Sequence, residues 1–231
     1  LAAMKNALVH RGPDGDAVWI SGDTGLVHTR LAIIDLETGD QPLFGPGGSV
    51  LVANGEIYNY VELRDELMGF DFATNSDCES VLHYYQNHGL DFAEWLRGMY
   101  ALALYDPQER RLVLSRDPFG IKPLYYALID NGVAFASEAQ ALLAAGFGAR
   151  ELRDQPVGEL LQLQFTTGAH TPFEGIERVL PGETIVIAAG RIVDRRLRAA
   201  LPSGGPQRLS ETAALEALEI ALTDSVDVHQ R

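Results

Sequence analysis

Three short segments of the chain carry side chains that could bind or transform a small polar molecule. Asn54 and Gly55 could offer a side-chain amide and a backbone N–H to one oxygen, as in an oxyanion hole. Asn-Gly alone also favours a tight turn. Arg30 lies in an apolar run, so its charge is costly unless a carboxylate of the protein or of a ligand pairs with it. Asp77 precedes a predicted helix, where an acid either complements the helix dipole or holds a ligand ammonium.

A fourth polar segment has the sequence HRGPDG at residues 10–15. In isolation it is best interpreted as a helix stop followed by a tight turn. The other three segments together are consistent with a pocket for an amino acid. Arg30 would take its α-carboxylate, Asp77 and Glu56 its α-ammonium, and the Asn-Gly pair a reacting carbonyl. The chemistry suggested is acyl transfer without a metal.

Composition disfavours several other classes of function. The chain of 231 residues carries 18 basic and 32 acidic side chains, and its net charge of −14 argues against nucleic-acid or membrane-surface partners. Cys78 is the single cysteine, which excludes an intrachain disulfide and predicts a reducing, cytoplasmic location. No apolar run approaches the roughly 18 residues of a membrane span. The histidines are not spaced for zinc, and no Walker-type phosphate loop is present.

The elements that must position these groups are mostly strands. Short apolar or β-branched runs predict strands at residues 27–34, 50–53, 99–105, 112–115, 124–129 and 133–136. Helices are predicted at the N-terminus and over residues 61–68, 79–88, 139–145 and 210–230. Turn sequences at residues 45–48, 106–109 and 130–132 predict hairpins. Antiparallel strands with separate helices indicate an α+β fold, and the doubly apolar run 99–104 predicts a strand covered on both faces.

A series of motifs follows the whole chain in a fixed order. They are HRGPDG at 10–15, RLAIID at 30–35, NGEIYNY at 54–60, SDCE at 76–79, GMYALALYD at 98–106, RDPFGIKPLYY at 116–126, ASE at 136–138 and LPGE at 180–183. In these motifs the chain resembles the N-terminal glutaminase domain of glutamine-dependent asparagine synthetases. That domain is a class II glutamine amidotransferase of the N-terminal-nucleophile hydrolases. Sister amidotransferases for glucosamine-phosphate or phosphoribosylamine synthesis carry different variants of the motifs.

The resemblance implies a fold and a set of binding residues. The fold is a four-layer αββα sandwich of two mainly antiparallel sheets, and the substrate is L-glutamine. Arg30 would grip the α-carboxylate of glutamine, with the backbone around Ile33 and Ile34 lining the pocket. Asp77 and Glu56 would hold the α-amino group.

The same resemblance implies an active domain with a partner. Asn54 and Gly55 would form the oxyanion hole for hydrolysis of glutamine to glutamate and ammonia. In the family, ammonia passes through a tunnel to a C-terminal ATP-dependent domain of the same polypeptide, which amidates aspartate. ATP and Mg²⁺ are expected there, and no cofactor or metal in the amidotransferase domain. We predict this domain over residues 1–199, a linker over 200–209 and the start of the synthetase domain over 210–231. A homodimer is common in the relatives, although the sequence does not require one.

The family nucleophile is a cysteine at the mature N-terminus, whose α-amino group helps to move the proton. The sequence begins at Leu1 within a predicted helix, so we expect this cysteine and the first strand upstream. Cys78 does not match the position, because it follows the ammonium-binding Asp77; it is expected to be a small buried side chain.

Two other functions stay open on the sequence. One is a catalytically silent scaffold that supports an ATP-dependent amide-forming partner, as in β-lactam-building relatives. The other is a glutamine-sensing module. Retention of Arg30, Asn54, Glu56 and Asp77 argues for the active domain, because a pocket without chemistry does not need the full set. The amide acceptor, aspartate or another carboxylate, lies beyond this sequence.

Overall fold

A computed structural model of the chain describes residues 1–31, 38–206 and 208–230. Its helices are α1 (Ala2–Leu8), α2 (Tyr60–Glu66), α3 (Glu79–His88), α4 (Ala139–Ala144), α5 (Asp154–Leu163) and α6 (Glu211–His229). Its strands are β1 (Gly15–Ser21), β2 (Thr24–Arg30), β3 (Leu43–Phe44), β4 (Val50–Ile57), β5 (Gly98–Asp106), β6 (Arg111–Arg116), β7 (Tyr125–Ile129), β8 (Gly132–Ala136), β9 (Ile176–Arg178), β10 (Glu183–Ala188) and β11 (Arg191–Leu197). Within these residues no helix is long and apolar enough to cross a bilayer.

The strands form three antiparallel sheets. The largest has the order β11-β10-β6-β5-β4-β3, and the two smaller ones are β1-β2 and β8-β7-β9. β5 shows why this arrangement buries both faces of the large sheet. Tyr100, Leu102 and Leu104 point to one side, where they pack with α3, while Ala101 and Ala103 point to the other and meet β2 and β7. Side chains alternate along a strand, so an all-apolar run supplies two cores.

A third apolar cluster lies outside the small sheets. Met4 of α1 and Leu142 of α4 pack there against Ala127 of β7 and Ala134 of β8. The order of layers is therefore helices, large sheet, small sheets, helices. This confirms the α+β fold and the four-layer αββα sandwich implied by the resemblance.

Most predicted elements are confirmed, with informative exceptions. The three predicted hairpins connect β3 to β4, β5 to β6 and β7 to β8. The strand predicted at 50–53 continues to Ile57, because β5 pairs with β4 along its whole length. The strand predicted at 27–34 begins earlier, at Thr24, and ends at Arg30 within the described residues. Helix α5 and the hairpin formed by β10 and β11 were not predicted.

Helix α6 begins as predicted, with the Ser210 hydroxyl accepting a hydrogen bond from the Ala213 N–H. It touches the sandwich near its C-terminal end: Asp224 pairs with Arg97 at 2.7 Å, and His229 lies against the Tyr58 ring. The apolar stripe of the helix is exposed; it consists of Leu215, Leu218, Leu222 and Val226. The division at residues 199 and 209 into domain, linker and second domain stays a prediction.

Candidate functional site

A cavity of about 610 Å³ lies between the large sheet and the small sheets. The predicted site residues that the structure describes all line it: Arg30, Asn54, Gly55, Glu56 and Asp77. They come from β2, β4 and the segment that precedes α3. Ile33 and Ile34 lie outside the described residues. The structure therefore gathers in one place groups that are separated by up to 47 positions in the sequence.

Asn54 and Gly55 are strand residues, and the interpretation of Asn-Gly as a turn is wrong. They pair with Ala101 and Tyr100 of β5, because the neighbouring strand continues past the point where local propensity favours a turn. A Cβ at position 55 would lie 2.1 Å from the carbonyl oxygen of Met99, so only glycine fits there. The Nδ2 atom of Asn54 is buried and has no hydrogen-bond partner. It is an unsatisfied donor in a residue that lines the cavity.

Asp77 is almost fully buried, at 4% exposure, beside the same strand. Its Oδ2 accepts a hydrogen bond from the Ile57 N–H at 2.6 Å, and the Cys78 thiol lies 3.7 Å from the same oxygen. Burial raises the pKa of the Asp77 carboxyl, and the bond from Ile57 opposes that rise. A nearby ammonium would favour the ionised form of this carboxyl.

The segment SDCE does not cap its helix through a side chain. Cys78 occupies the N-cap position of α3, and its side chain makes no capping bond. Glu79 instead binds the preceding loop, accepting from the N–H groups of Ala73 and Thr74 at 2.6 and 2.7 Å. Glu79 thereby fixes the loop that delivers Asp77 to the cavity.

Arg30 lies at the end of β2 with its side chain 13% exposed. Its guanidinium is 2.5 Å from a carboxylate oxygen of Asp40, whose own side chain is 82% exposed. An ion pair with so exposed a partner contributes little and can be exchanged for a ligand carboxylate. The turn that contains HRGPDG supports this strand end, since the Asp14 N–H donates to the Arg30 carbonyl at 3.0 Å.

Glu56 follows the Asn-Gly pair on the same strand and also lines the cavity. It pairs with Met99 of β5. Residues 54 and 56 point to the same face of the sheet, because side chains alternate along a strand. Glu56 thus supplies a second carboxyl group on the face that carries the Asn54 amide.

Polar residues that line the cavity and that sequence reasoning missed include Gln41, His28 and Lys122. Burial lowers the pKa of the His28 imidazole to about 4, although a hydrogen bond with the Ala53 backbone opposes the shift. His28 lies two residues before Arg30 on β2 and so points to the same face of the strand; that spacing could have identified it. Gln41 follows no local pattern that would have marked it, and Lys122 lies in the motif at 116–126 but was given no role.

Cys78 lines the cavity but is poorly suited to attack a substrate. Its side chain is only 2% exposed. Burial raises the pKa of the thiol well above its ordinary value, and the Asp77 carboxylate raises it further. A thiol that stays protonated is a weak nucleophile. Among the described residues, no group of three or more His, Cys, Asp or Glu side chains could hold a metal ion.

The arrangement matches a small zwitterion that carries a carbonyl group. A cation and two carboxyl groups line the same cavity as Asn54, whose buried Nδ2 donor has no partner. Such a site can bind an amino acid by its two charged α-groups and polarise a carbonyl in its side chain.

Comparison with known proteins gives a family and several relatives. A family model described as "Glutamine amidotransferase domain" matches residues 1–197. Asparagine synthetase [glutamine-hydrolyzing] 1 of Bacillus subtilis is 37% identical over 232 residues, covering 99% of this chain and 36% of that protein. A putative asparagine synthetase [glutamine-hydrolyzing] of Mycobacterium bovis is 37% identical over 251 residues, covering 100% of this chain and 38% of that protein. The chain thus spans little more than a third of these relatives.

Solved structures share the fold at lower sequence identity. Glutamine phosphoribosylpyrophosphate amidotransferase from B. subtilis has a TM-score of 0.55 and 24% identity, over 77% of this chain and 35% of that chain. A structure described as the allosteric regulatory enzyme of purine biosynthesis has a TM-score of 0.58 and 22% identity, over 77% of this chain and 36% of that chain. At these identities the likeness establishes the fold alone.

Proposed function

The chain belongs to the class II glutamine amidotransferase domain family, and from that premise we propose that it is the glutamine-hydrolysing part of an asparagine synthetase. The family model spans residues 1–197, and the curated relatives cover the chain almost completely. The substrate of this domain is L-glutamine, and its products are glutamate and ammonia.

The observation that carries the proposal is the buried, unpartnered Nδ2 of Asn54. An unsatisfied buried donor is costly, by about 1–3 kcal/mol, and calls for an acceptor that arrives with the substrate. We assign that acceptor to the oxygen of the glutamine side-chain amide, which gains negative charge during attack. The Gly55 N–H supplies the second donor. One such donor contributes roughly 10²–10³ in rate.

The charged groups hold the rest of the substrate. Arg30 binds the α-carboxylate in exchange for its solvent-exposed partner Asp40. Asp77 and Glu56 bind the α-ammonium. This orientation directs the side-chain carbonyl of glutamine toward Asn54. The backbone around Ile33 and Ile34 lines the pocket in this proposal, as the family resemblance implies.

The reaction is a nucleophilic displacement through an acyl-enzyme. The thiol of a cysteine at the mature N-terminus, preceding Leu1, attacks the side-chain carbonyl, and its own α-amino group takes the proton. The C–N bond breaks and ammonia leaves with that proton. Water then hydrolyses the thioester to give glutamate and regenerate the thiol. Cys78 does not serve, because burial keeps it protonated.

The activity of the whole protein extends beyond this chain. We propose that ammonia passes to a C-terminal synthetase domain of the same polypeptide, where ATP and Mg²⁺ activate aspartate for amidation. This assignment is supported by the relatives from Bacillus subtilis and Mycobacterium bovis, which are named as asparagine synthetases. The exposed apolar stripe of α6 is consistent with a helix that packs against further chain. A cytoplasmic location and a homodimer accord with the proposal.

The test uses the full-length native polypeptide. Its N-terminal sequence and intact mass are determined, and release of glutamate and ammonia from L-glutamine is measured. We expect an N-terminal cysteine, a mass well above that of this chain and one glutamate per ammonia. A terminus without cysteine and no glutamate release would contradict the proposal and favour a silent scaffold. Glutamine binding without ammonia release would favour a sensing module.

A further inference from the structure

The edge of β4 that carries the Asn-Gly pair is only partly covered by its neighbouring strand. β3 is two residues long and pairs with β4 at Leu51 and Val50. Beyond that point, the backbone groups of residues 53, 55 and 57 face the same edge, because successive residues of a strand alternate. Positions 53 and 55 flank Asn54 directly, and position 57 follows on the same edge.

The side chain of Gln41 bonds to β4 just beyond the point where β3 ends. In the register of the pair, Leu43 faces Leu51, so position 41 falls opposite Ala53. The contact is made by the side chain of Gln41. Its Nε2 donates to the Ala53 carbonyl at 3.1 Å, and its Oε1 accepts from the Ala53 N–H at 2.6 Å. A side-chain amide thus replaces the pair of hydrogen bonds that a strand backbone would supply.

The next anchor on this edge is the carboxylate of Asp77, which accepts the Ile57 N–H at 2.6 Å. The Gly55 N–H lies between the two anchored positions, 53 and 57, and Gly55 lines the cavity. Fixing both flanking residues defines the direction of the N–H between them. The anchor at Ala53 is also adjacent to Asn54 and therefore constrains the origin of its side chain.

We propose that Gln41 is a positioning residue for the oxyanion hole: its amide clamps the Ala53 backbone and thereby aims the Asn54 amide and the Gly55 N–H. The inference rests on the proposed function, since it concerns the geometry of that site. Asp40, the residue before the clamp, pairs with Arg30. One short segment therefore contacts both the group proposed to bind the α-carboxylate and the strand proposed to bind the carbonyl.

The test compares variants of the full-length protein. Gln41→Met keeps the length of the side chain and removes both hydrogen bonds, whereas Gln41→Asn keeps the amide and shortens its reach by one methylene. Gln155→Leu, on an exposed face of α5, is the matched control. Three quantities are measured: kcat and KM for L-glutamine hydrolysis, the melting temperature, and amide hydrogen exchange of residues 50–57.

We expect Gln41→Met to lower kcat about 10- to 100-fold, since small misplacement of reacting groups is costly, with KM within about threefold. Exchange at Ala53 and Gly55 should accelerate, and Gln41→Asn should show the same changes to a smaller extent. The control should match the wild type. A lower melting temperature with unchanged kcat would overturn the proposal and leave Gln41 a structural residue. A loss of kcat/KM of the same size that came entirely from a higher KM would also overturn it.

The exchange measurement separates this inference from the proposed function. If the wild-type protein hydrolyses no glutamine, the proposed function fails, yet local acceleration in Gln41→Met still establishes the clamp on β4. If the wild type is active and exchange at residues 53–55 does not respond to Gln41→Met, the clamp fails and the proposed function stands.

Discussion

Two regions of the molecule each combine an arginine with a buried aspartate, and they differ in the groups that contact these side chains. In the turn after β6, the Arg116 guanidinium donates to the carbonyl oxygens of Lys122, Val179 and Gly120. Asp117 beside it is fully buried and accepts four backbone N–H groups. At the cavity, Arg30 has an exposed partner in Asp40, and Asp77 accepts one backbone N–H through Oδ2.

The difference shows how a charged residue that stabilises the fold can be distinguished from one that is available to bind a ligand. Both regions look alike in sequence, as charged residues next to apolar runs. In the turn, both charged groups bond to several backbone groups, so the charges stabilise a fixed loop. At the cavity, the buried Asn54 Nδ2 is an unused donor, which a ligand oxygen could satisfy.

The largest effect should come from the turn after β6, where Asp117 accepts four backbone N–H groups. Asp117→Asn places an amide group where Oδ2 accepts from the N–H groups of Tyr100 and Lys122, leaving two buried donors unsatisfied. At about 2 kcal/mol each, the free energy of unfolding should fall by about 4 kcal/mol, measured in urea.

Asp77→Asn is the matched variant in the cavity. Its amide can rotate so that the oxygen still accepts from Ile57, so the free energy of unfolding should change by less than about 1 kcal/mol. The KM for glutamine should rise instead. If both asparagine variants destabilised the protein equally, the contrast between the two regions would be lost.

The next largest effect should come from replacing Asn54, whose Nδ2 is the unused donor. Asn54→Ala should lower kcat for glutamine hydrolysis by about 10²–10³-fold, with KM within a few-fold, because the donor acts on charge that develops in the transition state. Stability should be unchanged or higher, since the variant removes an unsatisfied buried group. Steady-state kinetics and a thermal melt measure the two quantities. Loss of glutamine binding with normal kcat at saturation would contradict the oxyanion role.

Arg30→Ala should affect binding more than turnover. Removing a charged partner of the α-carboxylate should raise KM for glutamine about 10- to 100-fold while kcat changes less. Free ammonia should bypass the defect in the full-length protein if a synthetase domain is attached. Steady-state kinetics with glutamine and with ammonia as the nitrogen source distinguish a defect in glutamine binding from a defect in the synthetase reaction. An unchanged KM would show that another group binds the carboxylate.

Sequence reasoning predicted several of the polar residues that line the cavity, because motif residues such as Arg30, Asn54 and Asp77 carry their chemistry in their type and order. It failed where the structure depends on pairing between distant segments. Local propensity predicts a turn for Asn-Gly. In the structure the pair lies in a strand, because β5 pairs with it. Gln41 was missed because its contact with Ala53 follows from the register of a two-residue strand, which no local pattern predicts.

His28 should make a smaller contribution to the free energy of unfolding, and this contribution depends on pH. Its pKa is about 4 in the folded protein, from burial first and with Arg30 adding to the shift, while the Ala53 backbone and Asp40 oppose it. The ordinary value is near 6.5 in an unfolded chain, so the unfolded state binds the proton first as pH falls. Stability conferred by the neutral ring is complete above about pH 6.5 and is lost on going down toward pH 4.

Between pH 7 and pH 5, this group should remove about 2 kcal/mol from the free energy of unfolding. Urea denaturation of the wild type and of His28→Gln at both pH values isolates the contribution, because all other titrating groups are common to the two proteins. The raised pKa of Asp77, which acts in the opposite direction, cancels in that difference. A variant with the same pH dependence as the wild type would show that His28 is accessible to protons in the fold.

The smallest effect should come from Cys78, although it is the single cysteine and lines the cavity. Burial and the neighbouring Asp77 keep its thiol protonated, so it lacks the thiolate that attack requires. Cys78→Ser should therefore leave glutamine hydrolysis within about twofold of wild type, measured as kcat at saturating glutamine. Abolished activity would place the nucleophile at residue 78 and remove the need for an upstream cysteine. Unchanged activity would leave the cavity as a site whose described residues bind, orient and polarise glutamine, while the attacking thiol comes from elsewhere in the polypeptide.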